Sequence, residues 1–178
     1  MTIMTHVRLV AILLAALPLT AGAAAPCVKL DRQSYCRVWS AKNTSMSKTE
    51  FLRSGETVDR WQNMITILRY NNSTLKGAIQ TYMSTVRAYM GPHDSPVWIA
   101  PTHGSHNEAA ATRLVLQSPD GSDGEYVVVY FFSDSGKPVY AIAFSQHLPL
   151  PSHEIPTMAQ YGKWLTDMQA MPAASVTQ

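Results

Sequence analysis

TRLVLQSPDGSDGEYVVVYFFSDSGKPVYAIAFS, Thr112 to Ser145, decides the fold class. Its apolar runs are split by Asp120-Gly121, Asp123-Gly124 and Ser135-Gly136. Such pairs supply the residues that tight hairpin turns need, so the runs read as antiparallel neighbours. Tyr126 to Phe132 is apolar at every position. A strand apolar at both parities is covered on both faces, which places this one in the middle of a sheet.

Toward the C-terminus, LPLPSHEIP (148–156) is a Pro-rich corner. TMAQYGKWLTDMQAM (157–171) then reads as a helix, with Met158, Tyr161, Leu165 and Met168 facing inward and Trp164 beside them. Residues 173–178 are a loose tail. Toward the N-terminus, VWIA (97–100) is a short strand. STLKGAIQTYMSTVRAYMGP (73–92) is the clearest helix, with Leu75, Ala78, Ile79, Tyr82, Met83, Val86 and Met90 on one stripe. Ser73 or Thr74 caps its start, and Gly91-Pro92 stops it. In FLRSGETVDRWQNMITILRY (51–70) a turn falls at Ser54-Gly55. A helix is expected from Thr57, with Val58, Trp61, Met64 and Ile65 at helical spacing. Ile65 to Tyr70 is rich in β-formers. SAKNTSMSKTE (40–50) has no apolar period and reads as a loop, and SYCRVWS (34–40) as the first strand. The sum is an α+β domain: an antiparallel sheet of about five or six strands with helices packed on it, in two or three layers.

The chain opens MTIMTHVRLVAILLAALPLTAGAAAP. Arg8 precedes an apolar run, Leu9 to Leu17, and the small residues Ala21-Gly22-Ala23 follow. This is the pattern of a cleaved secretory leader, residues 1–23. The run is short of the ~20 residues that a spanning helix needs. No second long apolar stretch exists, so the mature chain is expected to have no transmembrane segment. Residues 24–172 are expected to form one domain. In an exported chain, Cys27 and Cys36 favour a disulfide. Their spacing is not that of a Cys-x-x-Cys redox pair.

Charge is uneven along the chain. From Ala24 to Pro92 there are ten Lys/Arg against four Asp/Glu, and from His93 onward three against eight. If the halves stay apart in space, the first would favour acidic partners. Nucleic acid is not expected, given a formal net charge of only +2.

Within GETVDRWQNMITI, Glu56, Trp61 and Met64-Ile65-Thr66 form a segment that resembles one in small exported bacterial proteins of uncharacterised function. The element order also resembles PsbP-like sandwiches. That resemblance implies binding or assembly roles and brings no active site.

Chemistry-bearing candidates are few. PTHGSHNEAAAT (101–112) holds His103, His106 and Glu108, which together could bind zinc or copper or act on a bound water. Gly104 and Pro101 favour a loop, where the spacing of the two histidines guarantees nothing. Copper could also draw on Met158, Met168 and Met171 with His147 and His153, but methionine commonly fills cores. Ser45 and Lys48 match a Ser-x-x-Lys pattern without its companion motifs, and no Gly-x-Ser-x-Gly occurs. No resident cofactor is therefore expected. The sequence favours an exported, periplasmic or secreted, non-catalytic binding or assembly protein with a protein partner in the envelope or a secretion apparatus. The Pro-rich corner, with His147, Pro149, Pro151 and His153, and the His103–Glu108 loop are the expected contact surfaces. The alternative is a metal-binding protein or metal-dependent enzyme built on His103, His106 and Glu108.

Overall fold

A computed structural model describes residues 25–91, 94–99, 106, 108–118, 122–134, 138–149 and 156–171. The leader (1–23), His103, Asn107, Pro151, His153 and the tail (173–178) lie outside the described residues.

Among the described residues, eight strands form one antiparallel sheet in the order β1-β2-β3-β4-β8-β7-β6-β5. They are β1 Cys27–Leu30, β2 Gln33–Lys42, β3 Met46–Leu52, β4 Asn63–Tyr70, β5 Val97–Ile99, β6 Glu108–Gln117, β7 Asp123–Ser133 and β8 Val139–Pro149. Two short helices accompany them, α1 Leu75–Val86 and α2 Met158–Gln169. Each half of the chain is a meander of neighbouring strands, and the halves join where β4 pairs with β8. No helix among the described residues is long and apolar enough to cross a membrane.

This architecture overturns the expected α+β sandwich of five or six strands. The fold is β-rich, and two segments account for the difference. The presumed loop Ser40–Glu50 is a hairpin instead, turning only over Asn43–Ser45 between β2 and β3. Its polar residues sit in strands because Lys48 and Glu50 satisfy each other in place, Nζ to Oε1 2.6 Å. The presumed helix from Thr57 is a tight turn closed by a Thr57–Arg60 bridge, followed directly by β4. Val58 is exposed, and Met64 and Ile65 are buried on opposite faces of β4, as neighbours in a strand must be. The element order that resembled PsbP-like sandwiches also differs, because four strands precede α1.

The hairpin reading of residues 112–145 holds. β7 pairs with β6 on one side and β8 on the other. Tyr126, Val128, Tyr130 and Phe132 join one core with Tyr161, Trp164, Leu165 and Met168 of α2. Val127, Val129 and Phe131 join the other with Ala78, Tyr82 and Val86 of α1. Strand β7 is therefore covered on both faces.

Both helices start where the sequence indicates. Thr74 Oγ1 accepts from the Gly77 amide at 3.2 Å. Thr157 and Gln160 form a reciprocal capping box. Helix α1 ends at Val86, and Met90, expected on its stripe, instead bridges to Leu116. Met158 is a second departure: it lies in the first turn of α2 and is 56% exposed, not inward-facing.

Cys27 and Cys36 face each other across β1 and β2 and are disulfide-bonded. The turn they close runs through Asp31 and Arg32, with φ of 50° and 62°. Both central residues are thus left-handed, as a two-residue hairpin requires. Helix α2 holds this turn: the Asp31 amide donates to Asp167 Oδ2 at 2.7 Å, and the Lys163 ammonium pairs with the Asp31 carboxylate.

Candidate functional site

An open groove of about 840 Å³ lies at one end of the sheet. It is lined by the start of β2, by the β3–β4 connection (53–62) and by His147 of β8. The connection is built around one carboxylate. Gly55, with φ of +86°, makes the first turn, and the Glu56 amide donates back to the Arg53 carbonyl at 3.1 Å. Glu56 Oε1 then accepts from Arg53 Nη2 at 2.7 Å, from Arg53 Nε at 3.1 Å and from the Gln62 amide at 3.2 Å. Its Oε2 accepts from the Arg53 amide at 3.2 Å. Partial burial would raise the Glu56 carboxyl, but the Arg53 hydrogen bond and the two backbone amides together hold it below the usual carboxylate range. The same pairing raises the Arg53 guanidinium. Glu56 is therefore committed to bracing the loop and is not poised as a base.

The brace fixes Trp61 and Gln62. The Gln62 carbonyl accepts from the His147 amide at 2.8 Å, which docks the loop on β8. Trp61 is half-buried, its ring 5.5 Å from that of His147. Helical spacing suggests a core place for Trp61, whereas the structure puts it on the groove wall. His147 Nε2 lies 3.5 Å from Asp123 Oδ1 of β7. The result is a rigid, mixed-charge wall with an aromatic centre, with Asp59 and Arg60 exposed beside it.

The other expected site residues scatter. His106 Nδ1 lies 3.0 Å from Asp134 Oδ1, and its ring stacks on Phe132 at 4.0 Å. That pair ties the approach to β6 to the end of β7. Glu108 is exposed at the first position of β6, opposite Ser133. Among the described residues no group of three His, Cys, Asp or Glu side chains could hold a metal ion, and His103 lies outside them. Met168 and Met171 are core residues. Ser45 sits exposed in a turn while Lys48 is buried on β3, so the Ser-x-x-Lys pattern forms no site. Pro149 is the last residue of β8.

Sequence reasoning found His147 but missed Arg53, Gln62 and Asp123. A signal did exist for the brace: Glu56 and Trp61 belong to the segment that carried the resemblance to exported bacterial proteins.

Comparison with curated proteins and with solved structures returns no match. Residues 23–174 match the model of an uncharacterised bacterial family, and the chain belongs to that family.

Proposed function

We propose that the protein is an exported, non-catalytic binding protein that takes a segment of an envelope or secretion-apparatus protein into the groove at Trp61 and His147. The observation that carries this reading is the preorganised wall: a half-buried Trp held by the Glu56 brace, beside a histidine anchored through its own backbone amide. Aromatic side chains fixed in a partly desolvated setting are the typical anchors of protein interfaces. The disulfide is consistent with an exported protein. The charge halves support the reading too, because strand order keeps β1–β4 beside one another and apart from β5–β7. The basic first half thus borders the groove.

A photo-crosslinker at Asp59, on the groove rim, tests this in envelope extract. One discrete adduct is expected, reduced at least tenfold by Trp61→Ala and by His147→Ala. The same label at Lys42, near the β2–β3 turn at the far end of β3, should not form it. No adduct, or the same adduct from both positions, would overturn the proposal.

A further inference from the structure

A second site lies beneath α1 and is independent of the groove reading. Between the helix and the sheet is a small cavity of about 80 Å³. Met46, Met64, Leu68 and Ala143 supply apolar wall, and Thr81 and Thr85 line it from α1. Two buried polar atoms in this lining have no hydrogen-bond partner among the described residues: Oε1 of Glu125 and the hydroxyl of Tyr82. Glu125 is 6% exposed and Tyr82 5%. An unpaired buried carboxylate oxygen costs several times an ordinary hydrogen bond, so the arrangement is unfavourable for packing alone.

The charge count points to the missing partner. Lys48, 7% exposed, also lines the cavity, but its ammonium lies 2.6 Å from Glu50 Oε1. Once Glu125 is ionised, two carboxylates, Glu50 and Glu125, thus face one ammonium among the described residues. We propose that this cavity binds a small primary amine with a short apolar chain, its ammonium on Glu125 Oε1 and Tyr82 Oη and its chain against Met46 and Met64. Size limits the ligand: a dry cavity of about 150 Å³ admits the six carbons of benzene, so this one of about 80 Å³ suits about three heavy atoms, an amine with two carbons. The flexible methionine walls can yield to a somewhat larger guest.

The probe is ethylamine, titrated into the full chain at pH 8 and followed by the methyl NMR signals of Met46 and Met64. Ethanol and acetate are the neutral and anionic controls. Saturable shifts are expected with the amine, at least tenfold tighter than with the alcohol and with no detectable acetate binding. Glu125→Gln should abolish the preference for amine over alcohol while keeping alcohol binding. Tyr82→Phe, which preserves the charge, should weaken the amine about threefold and keep the preference, and it reads the site if the Glu125 variant does not fold. Below about pH 7 amine affinity should fall as Glu125 takes up a proton. The groups facing it are Lys48 and Glu50 of β3, Tyr70 of β4, Tyr82 of α1 and His147 of β8, opposite Glu125 in the ladder. Equal affinity for amine and alcohol, amine binding unchanged in Glu125→Gln or in Tyr82→Phe, or no saturable shift at 100-fold excess would each overturn the proposal.

Discussion

Replacing Glu125 by Gln should make the protein more stable at alkaline pH and about 1 kcal/mol less stable at acid pH. Burial pushes the Glu125 carboxyl up to about 7 from an ordinary 4.5, against the opposing pull of the Ser145 hydrogen bond and the Lys48 charge. A raised carboxyl favours the protonated folded form. Below pH 4.5 the folded and unfolded chains both hold the proton, and the residue adds no penalty. Between 4.5 and 7 the unfolded chain has released its proton while the folded chain still holds it, so stability declines with rising pH. The decline runs at about 1.4 kcal/mol for each pH step of one between those two values, so the loss levels off near ~3 kcal/mol above pH 7. Gln keeps the shape and a hydrogen-bonding group without the charge. Allowing about 1 kcal/mol for imperfect amide pairing, the variant should gain about 2 kcal/mol at pH 8. Urea unfolding of both proteins at pH 4, 6 and 8 measures this. The difference between the two curves isolates the contribution of position 125 from what the two proteins share. A difference that stays flat from pH 4 to 8, or a variant less stable than the parent at pH 8, would refute the electrostatic reasoning.

Three further outcomes follow from the geometry. Arg32→Gly should stabilise, because a left-handed non-glycine residue costs roughly 1–2 kcal/mol and glycine gives back about 0.4–1 in the unfolded chain; a net rise of about 0.5–1 kcal/mol by thermal melting is expected, and a fall would discount strain at the turn. Replacing Cys27 and Cys36 together by Ser should cost about 2–3 kcal/mol in urea unfolding, the entropy of the short loop they close. Glu56→Gln should cost about 1–3 kcal/mol at pH 7 by removing charged hydrogen bonds to Arg53 and two amides. Because its carboxyl is lowered on folding, the stability it adds is present above the ordinary carboxylate range and is lost as pH falls through the folded value, so parent and variant should converge in acid.

The centre of the sheet was legible because its strands are apolar and Asp-Gly and Ser-Gly pairs divide them in the sequence, although Asp123-Gly124 itself opens β7. Burial of Tyr126–Phe132 at both parities left one reading. The flank was not legible. Strand β3 has Ser47, Lys48, Thr49 and Glu50 in its middle, and no window of apolar residues marks it. Its place in the sheet comes from pairing with β2 and β4, a long-range fact that local composition does not hold. In residues 57–65, Val58, Trp61, Met64 and Ile65 mimic a helical period by coincidence. Thr66 and Ile67 extend the run at every position, and that continuity belongs to a strand buried on both faces.

The same period-two logic exposes what the histidine-centred reading of the site overlooked. Glu125 precedes Val127, Val129 and Phe131 by steps of two, so once β7 is a strand its side chain must share their face. A carboxylate on that face meets either a partner or an unmet charge. Lys48, two residues after Met46 and two before Glu50, is forced onto the same face by its own strand. The buried charges could thus have been placed on one side of the sheet from the alternation alone. What alternation does not supply is that Lys48 lies against Glu50, which leaves Glu125 as the surplus. Helix α1 keeps that surplus from water, and the helix is therefore the element whose removal should abolish the pH dependence of stability first.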